Sequence, residues 1–210
     1  MSRKLLVASA NRGKIREIKT YLENLNGIRL EIIGLDEFPA LPEVEEDGDS
    51  FQANALKKAR ARAEQTGLLT LADDSGLSVE YLGGEPGIYS ARYAGEDATD
   101  EENNQKLMEK LKDLPEEKRK AAFICVMALV DPHSGEEIVV EGRCDGLIQL
   151  FPAGENGFGY DPIFYLPDFG KTMAELPLET KNQISHRAAA LQKLKSEVIK
   201  RFGQINDEDD

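Results

Sequence analysis

Two adjacent carboxylates, Asp73 and Asp74, follow the apolar run Leu68 to Ala72 and precede Ser75 and Gly76. At the C-terminal end of a strand in an α/β sheet, side chains stand where ligands ordinarily bind. The same residues also suit a solvated turn, because Asp hydrogen-bonds readily to its own backbone. Strand neighbours point to opposite faces, so at most one of the pair is expected to face a pocket while the strand stays regular. Carboxylates repel phosphates unless a hard cation lies between them. Magnesium meets that need with one or two carboxylates, completing its shell with phosphate oxygens and water. The loop from Pro39 to Gly48 carries Glu43, Glu45, Glu46 and Asp47, which makes Glu45 and Glu46 the candidate further ligands, or else members of a solvated acidic face.

The candidate cationic and donor groups lie elsewhere. Ser9-Ala10-Asn11-Arg12-Gly13-Lys14 joins an expected strand to an expected helix, where free backbone N–H groups and the helix dipole favour an anion. The segment lacks the glycine and hydroxyl positions of a Walker A loop. Taken alone, the segment suits an ordinary tight connection with Asn11 as a cap better than an anion site. Asn54 and Lys58 share a helical face and could reach a phosphate tail, or simply meet solvent. Gly154-Glu155-Asn156-Gly157-Phe158-Gly159-Tyr160-Asp161-Pro162 allows close backbone approach to a flat ligand. Phe158 or Tyr160 could stack on a base there, or could pack in a plain hairpin loop. Lys181 precedes Ser185-His186-Arg187. If Ser185 caps the last helix, the two basic residues occupy its positive end, which hints at an anionic or carbonyl-bearing ligand.

Composition narrows the function classes. A net charge of -13 argues against binding nucleic acid, whose affinity comes from Lys and Arg at phosphates. The longest apolar stretch, Ala121 to Val130, falls short of the roughly 20 residues of a membrane span. Cys125 and Cys144 are too few for a disulfide framework or a zinc site and are expected as buried thiols in a cytoplasmic protein. Neither is set among cations that would make it a nucleophile.

The elements that must position these groups follow from periodicity. Lys4 to Ser9 reads as a buried strand, and a helix with Ile15, Ile18, Leu22 and Leu25 on one stripe follows. Ile28 to Leu35 suits a second strand. A long helix runs from about Ser50 to Gln65 and stops at Gly67. Leu68 to Ala72 suits a strand that Asp73-Asp74-Ser75-Gly76 breaks before the alternating Leu77, Val79 and Tyr81. Asp100 to Leu111 is expected as a helix capped by Thr99. Phe123–Val130, Glu137–Arg143 and Gly146–Phe151 are expected to form a meander turning at His133-Ser134-Gly135 and Asp145-Gly146. A last helix buries Leu191, Leu194, Val198 and Phe202 and ends at Gly203. Strands and helices interleave unevenly, which predicts an α/β fold on a mixed sheet. Residues 1–203 are taken as a single catalytic domain and 204–210 as a solvated acidic tail.

Taken in order, Ser9 to Lys14, Phe51-Gln52-Ala53-Asn54-Ala55, Ala72-Asp73-Asp74-Ser75-Gly76-Leu77, Pro86-Gly87-Ile88-Tyr89-Ser90-Ala91-Arg92-Tyr93, Phe158-Gly159-Tyr160-Asp161-Pro162 and Ser185-His186-Arg187 resemble the inosine triphosphate pyrophosphatases, the housecleaning XTP/dITP diphosphatases. The match covers nearly the whole chain. The resemblance implies an elongated mixed sheet with flanking helices, two lobes around a nucleotide cleft, and a homodimer. It implies magnesium-dependent hydrolysis of ITP, dITP and XTP to the monophosphate and pyrophosphate. By position, Asp74 becomes the general base and a metal ligand, Glu45 the other ligand, and Glu46 and Asp73 their support. Ser75 and the loop Ser9, Ala10, Asn11, Arg12, Gly13 and Lys14 become substrate-binding. So do Asn54, Lys58 and Lys181, with Asn11, Lys14, Lys58 and Lys181 on the triphosphate. Phe158, Gly159, Tyr160 and Asp161, with His186 and Arg187, would hold the base. Close alternatives are a pyrophosphatase for modified pyrimidine or methylated nucleotides, and a nucleotide-binding regulator without turnover.

Overall fold

The computed structural model describes residues 3–9, 11–22, 25 and 30–202, without the side chains of Arg12 and Phe202. Ala10, Ile28, Gly203 and the acidic tail 204–210 lie outside the described residues.

The described strands and helices are β1 (Arg3–Val7), α1 (Arg12–Leu22), β2 (Leu30–Gly34), α2 (Phe51–Thr66), β3 (Leu69–Val79), α3 (Asp100–Leu111), β4 (Lys120–Val130), β5 (Glu137–Ile148), β6 (Phe164–Leu166), β7 (Lys171–Thr172), α4 (Leu178–Ile184) and α5 (His186–Phe202). The strands form one sheet in the order β2-β1-β3-β4-β5-β6-β7. Pairing is parallel from β2 through β1 to β3 and antiparallel from β5 through β6 to β7, so the sheet is mixed, as expected. Nearly every residue of β4 is buried, which suits a strand at the middle of the sheet. The chain forms two compact units, Met1–Asp74 with Val126–Gly142 and Ala190–Asp210, and Ser75–Cys125 with Arg143–Ala189.

Helix α2 shows how local sequence sets the frame. Ser50 Oγ accepts from the Ala53 N–H at 3.2 Å, and Gly67 closes the helix in the left-handed region at φ 68°. Ala55, Ala59 and Ala63 recur at four-residue spacing and are fully buried. The neighbouring stripe, Asn54, Lys58 and Arg62, has the same spacing and is polar. One stripe anchors the helix and the next serves the site. In α3, Thr99 and Glu102 form a reciprocal capping box.

Several expectations need correction. β3 runs unbroken from Leu69 to Val79, so Asp73-Asp74-Ser75-Gly76 is strand and not a turn. Its carboxylates find partners on helices, and those pairings outweigh the low strand propensity of Asp and Gly. Tyr81 lies beyond β3 in a 3₁₀ turn and is exposed. β5 likewise runs through Asp145-Gly146. A Cβ at Gly146 would stand 2.6 Å from the Tyr165 carbonyl oxygen and 2.7 Å from the Phe164 ring, so this glycine serves close packing rather than a turn. Leu25 is buried but lies outside α1. The short α4, which contains Lys181, was not foreseen. The turn at His133 to Gly135 and both buried, unbridged cysteines agree with expectation.

Candidate active site

The first unit gathers acid and base around the end of β1 and the middle of β3. Lys14, at the start of α1, donates from Nζ to Asp73 Oδ2 at 2.7 Å. Asp73 is only 6% exposed, and a carboxylate so buried needs a cation beside it. Its neighbour Asp74 is held by α2: Asn54 Nδ2 donates to Asp74 Oδ2 at 3.0 Å. The same amide accepts from the Gly48 N–H at 2.7 Å, which ties the acidic loop to the strand carboxylate. Lys58 Nζ lies 3.0 Å from Glu46 Oε2 and 3.9 Å from Asp74 Oδ1. A cavity of about 340 Å³ opens beside Ser9 and is lined by the cations Lys14, Lys58 and Arg62 and the carboxylates Glu43, Glu46 and Asp73.

These positions redistribute the expected roles. Asn11 caps α1, its Oδ1 accepting from the N–H groups of Gly13 at 2.9 Å and Lys14 at 3.2 Å. Asn11 N–H in turn donates to Ser9 Oγ at 3.1 Å. Asn54 is 2% exposed, turned inward, with both ends of its amide engaged. Glu45 and Glu46 are both exposed on the loop, but only Glu46 lines the cavity and pairs with Lys58. Arg62, which was not expected at the site, also lines the cavity. Ser75 is half-buried in β3, immediately after the pair.

A hard cation fits this donor set. The Lys58 ammonium already lies within ion-pair range of both Glu46 and Asp74, so one positive charge can be shared by carboxylates from the loop and the strand. Among the described residues, no three His, Cys, Asp or Glu side chains form a ready metal cage. Magnesium does not require one, since it completes its shell with water and substrate oxygens.

The second unit holds the glycine-rich loop. Asp161 Oδ2 accepts from Lys181 Nζ at 2.6 Å and from the Phe158 N–H at 3.2 Å. Gly157 covers this pair at φ 93°, and a Cβ there would fall 2.0 Å from Asp161 Oδ2 and 2.3 Å from Lys181 Nζ. Both backbone groups of Gly159 are taken by α3: its N–H donates to Asp100 Oδ2 at 2.6 Å, and its carbonyl accepts from Asn104 Nδ2 at 2.9 Å. Tyr160 is buried, its hydroxyl donates to the Ser90 carbonyl at 2.9 Å, and burial holds that hydroxyl above the ordinary tyrosine range. Phe158, 64% exposed, is therefore the loop aromatic that presents a face to a planar ligand. Ser185 caps α5 through the Ala188 N–H at 3.2 Å, and His186 stacks on Phe123 with ring centres 5.0 Å apart. Arg187 follows, half-buried.

Sequence reading missed Asp100, Asn104 and Phe123. Asp100 and Asn104 are four apart on α3, a visible signal, but an acid in a capped first turn already has a structural explanation. Burial, then Asp145 and Asp161, push the Cys144 thiol up to about 11, so no thiolate nucleophile arises there.

Residues 5–197 match the sequence profile of the Ham1 family. The chain belongs to the Ham1 family. It is 52% identical over 192 residues to a dITP/XTP pyrophosphatase of Geobacter sulfurreducens, covering 91% of this chain and 94% of that one. A dITP/XTP pyrophosphatase of Shouchella clausii is 48% identical over 194 residues, covering 92% and 96%. The Ham1 protein structure from Staphylococcus aureus superposes with a TM-score of 0.86 at 44% identity, covering 93% of this chain and 98% of that one. The one from Coxiella burnetii gives 0.87 at 42%, covering 94% and 99%. The family read from the motifs is thus the family of these Ham1 relatives, and their fold is the mixed sheet described above.

Proposed function

We propose that this Ham1 protein hydrolyses the non-standard purine nucleoside triphosphates ITP, dITP and XTP to the monophosphate and pyrophosphate, with magnesium as cofactor. Relatives close to half identical along nearly their full length carry the name dITP/XTP pyrophosphatase, which supports the substrate class. The observation that carries the chemistry is the Lys58 ammonium set between Glu46 and Asp74, beside the Lys14–Asp73 pair.

Phosphoanhydride hydrolysis asks mainly for in-line positioning and charge neutralisation. Glu46 and Asp74 would hold magnesium, with Glu45 and Asp73 as further acidic groups. Bound magnesium supplies charge neutralisation at the phosphates and lowers the cost of activating water. Asp74 accepts the proton of the attacking water at its carboxylate, and Asn54 fixes which way that carboxylate faces. Lys14 and Lys58 exchange carboxylate partners for phosphate oxygens, and the backbone of Ser9 to Lys14 lies against the same tail. Phe158 stacks on the purine, while His186 and Arg187 meet its 6-oxo oxygen. An adenine amino group would leave such donors unpaired at about 1–3 kcal/mol each, which disfavours ATP. We assign Lys181 to holding Asp161 and the loop in the absence of substrate. The protein acts in the cytoplasm as a homodimer, on small nucleotides rather than nucleic acid. No described helix is long and apolar enough to cross a membrane.

The test is a panel of ITP, XTP, dITP, ATP, GTP and modified pyrimidine triphosphates with magnesium, scored by monophosphate formed. The reading expects the 6-oxo purines ITP, XTP and dITP to lead. Faster turnover of the pyrimidines would transfer the chain to the rival substrate class, and no turnover of any would make it a binding protein.

A further inference from the structure

Among the described residues, the acidic loop between Leu41 and Ser50 lies outside every strand and helix and depends on side chains of α2 for its shape. Its contacts run in reverse order along that helix. Pro42 O accepts from Arg62 Nη1 at 2.7 Å, Glu46 meets Lys58, Asp47 meets Lys57, and the Gly48 N–H donates to Asn54. From Asn54 to Arg62 the helix rises about 12 Å. The loop from Pro42 to Gly48 could stretch to about 20 Å, so it carries slack that must be taken up. Of the two middle contacts, Lys57–Asp47 is a solvent-exposed ion pair with each partner over 40% exposed, and such pairs contribute little, while Glu46 reaches the mostly buried Lys58 from the exposed side of the loop. The end contacts are different. Asn54 is buried, and Arg62 is 8% exposed and is further fixed by Gln65 Oε1 at 2.9 Å.

We infer that Arg62 is a positioning residue for the cation ligands: it pins the start of the acidic loop at the Pro42 carbonyl, so that Glu46 meets Asp74 across one positive charge. The inference rests on the magnesium reading above. Asn54 does the corresponding work at the far end, where it also touches Asp74. Arg62 suits the near end because its rigid fork can hold a carbonyl and the Gln65 side chain at once.

The test uses the full chain, as wild type, Arg62→Ala, Arg62→Lys and Lys193→Ala, the last removing an exposed lysine-to-carbonyl bond at Glu141 in the same unit. Two readouts need no turnover: manganese binding followed by electron paramagnetic resonance, and cleavage after Glu43, Glu45 and Glu46 by a glutamate-specific protease. Arg62→Ala is expected to bind manganese about tenfold more weakly, the cost usual for losing an outer-shell partner. It should be cut several-fold faster in the loop, and lose more in kcat than in KM. Arg62→Lys should fall between, and Lys193→Ala should match wild type. Manganese affinity and loop cleavage within twofold of wild type in Arg62→Ala overturn the inference. So does a loss confined to the affinity for inorganic tripolyphosphate, which would make Arg62 a phosphate ligand. If Arg62→Ala does not fold, unchanged manganese affinity and cleavage in Arg62→Lys overturn it equally. Absence of pyrophosphate release from ITP by wild type would remove the enzymatic reading, while the manganese and protease comparison would still decide whether Arg62 holds the loop.

Discussion

The two buried lysine–aspartate pairs are almost the same length, 2.7 Å for Lys14–Asp73 and 2.6 Å for Lys181–Asp161, and their settings are opposite. Lys14 and Asp73 border an open cavity shared with Lys58, Arg62, Glu43 and Glu46. Lys181 and Asp161 are roofed by Gly157 so closely that a methyl group would not fit. An ion pair facing a cavity can trade its partner for a ligand at small cost. A pair sealed under backbone instead rivets one segment to another, here α4 to the glycine-rich loop. The same pair of side chains thus lines a cavity in one unit and lies under a glycine backbone in the other.

Four substitutions sharpen or break that contrast, in order of expected size. Asp74→Asn keeps shape and the Asn54 contact while removing the base, and is expected to lower kcat by about 10²- to 10⁴-fold with nucleotide binding retained. Steady-state rates with ITP check this, and a rate near wild type would take Asp74 out of the mechanism. Lys181→Met leaves the largely buried Asp161 under Gly157 without its cation and should cost about 3–5 kcal/mol of stability. Lys14→Met should cost more than Lys181→Met in KM for the triphosphate, because the Lys14 pair lines the cavity. The reverse order would cancel the distinction between the pairs. Phe158→Ala is expected to raise KM for ITP by roughly five- to hundredfold, from the loss of about 1–3 kcal/mol of base stacking. An unchanged KM would leave the exposed ring without a role.

A pair that belongs to neither site supplies a pH control. Burial pushes the Asp131 carboxyl up, but the His133 N–H and the Arg3 guanidinium outweigh it and hold it below the usual range. A lowered folded value stabilises the fold above the unfolded value of about 3.9 and is lost as pH falls through the folded one. Asp131→Asn should thus be less stable than wild type at pH 7, and the gap should shrink as pH falls below about 3.9 and close below the lowered folded value. A gap that stays constant across that range would show that the charge of Asp131 contributes nothing to stability.

Elements with local punctuation were legible. Ser50 and Gly67 bracket α2, and Thr99 with Glu102 opens α3. β3 and β5 were read as broken at Asp73–Gly76 and at Asp145-Gly146, because local propensity favours turns there. Only tertiary partners reverse that preference: Lys14 and Asn54 for the carboxylates, and the crowding of Phe164 and Tyr165 against Gly146. The chemical types at the site were readable, but their partners were not. Lys14 meets Asp73 across 59 positions of sequence, and Asn104 meets Gly159 across 55. Nothing in the sequence separates Arg62 from the other cations of α2; its burial and its bond to Pro42 do.

The account depends on the loop and strand carboxylates working through one divalent cation. Its most direct test is product analysis of ITP hydrolysis by the purified protein, with magnesium and after chelation. Inosine monophosphate and pyrophosphate should form only with the metal present. Full-rate hydrolysis in the chelator, or inosine diphosphate with orthophosphate as products, would contradict it.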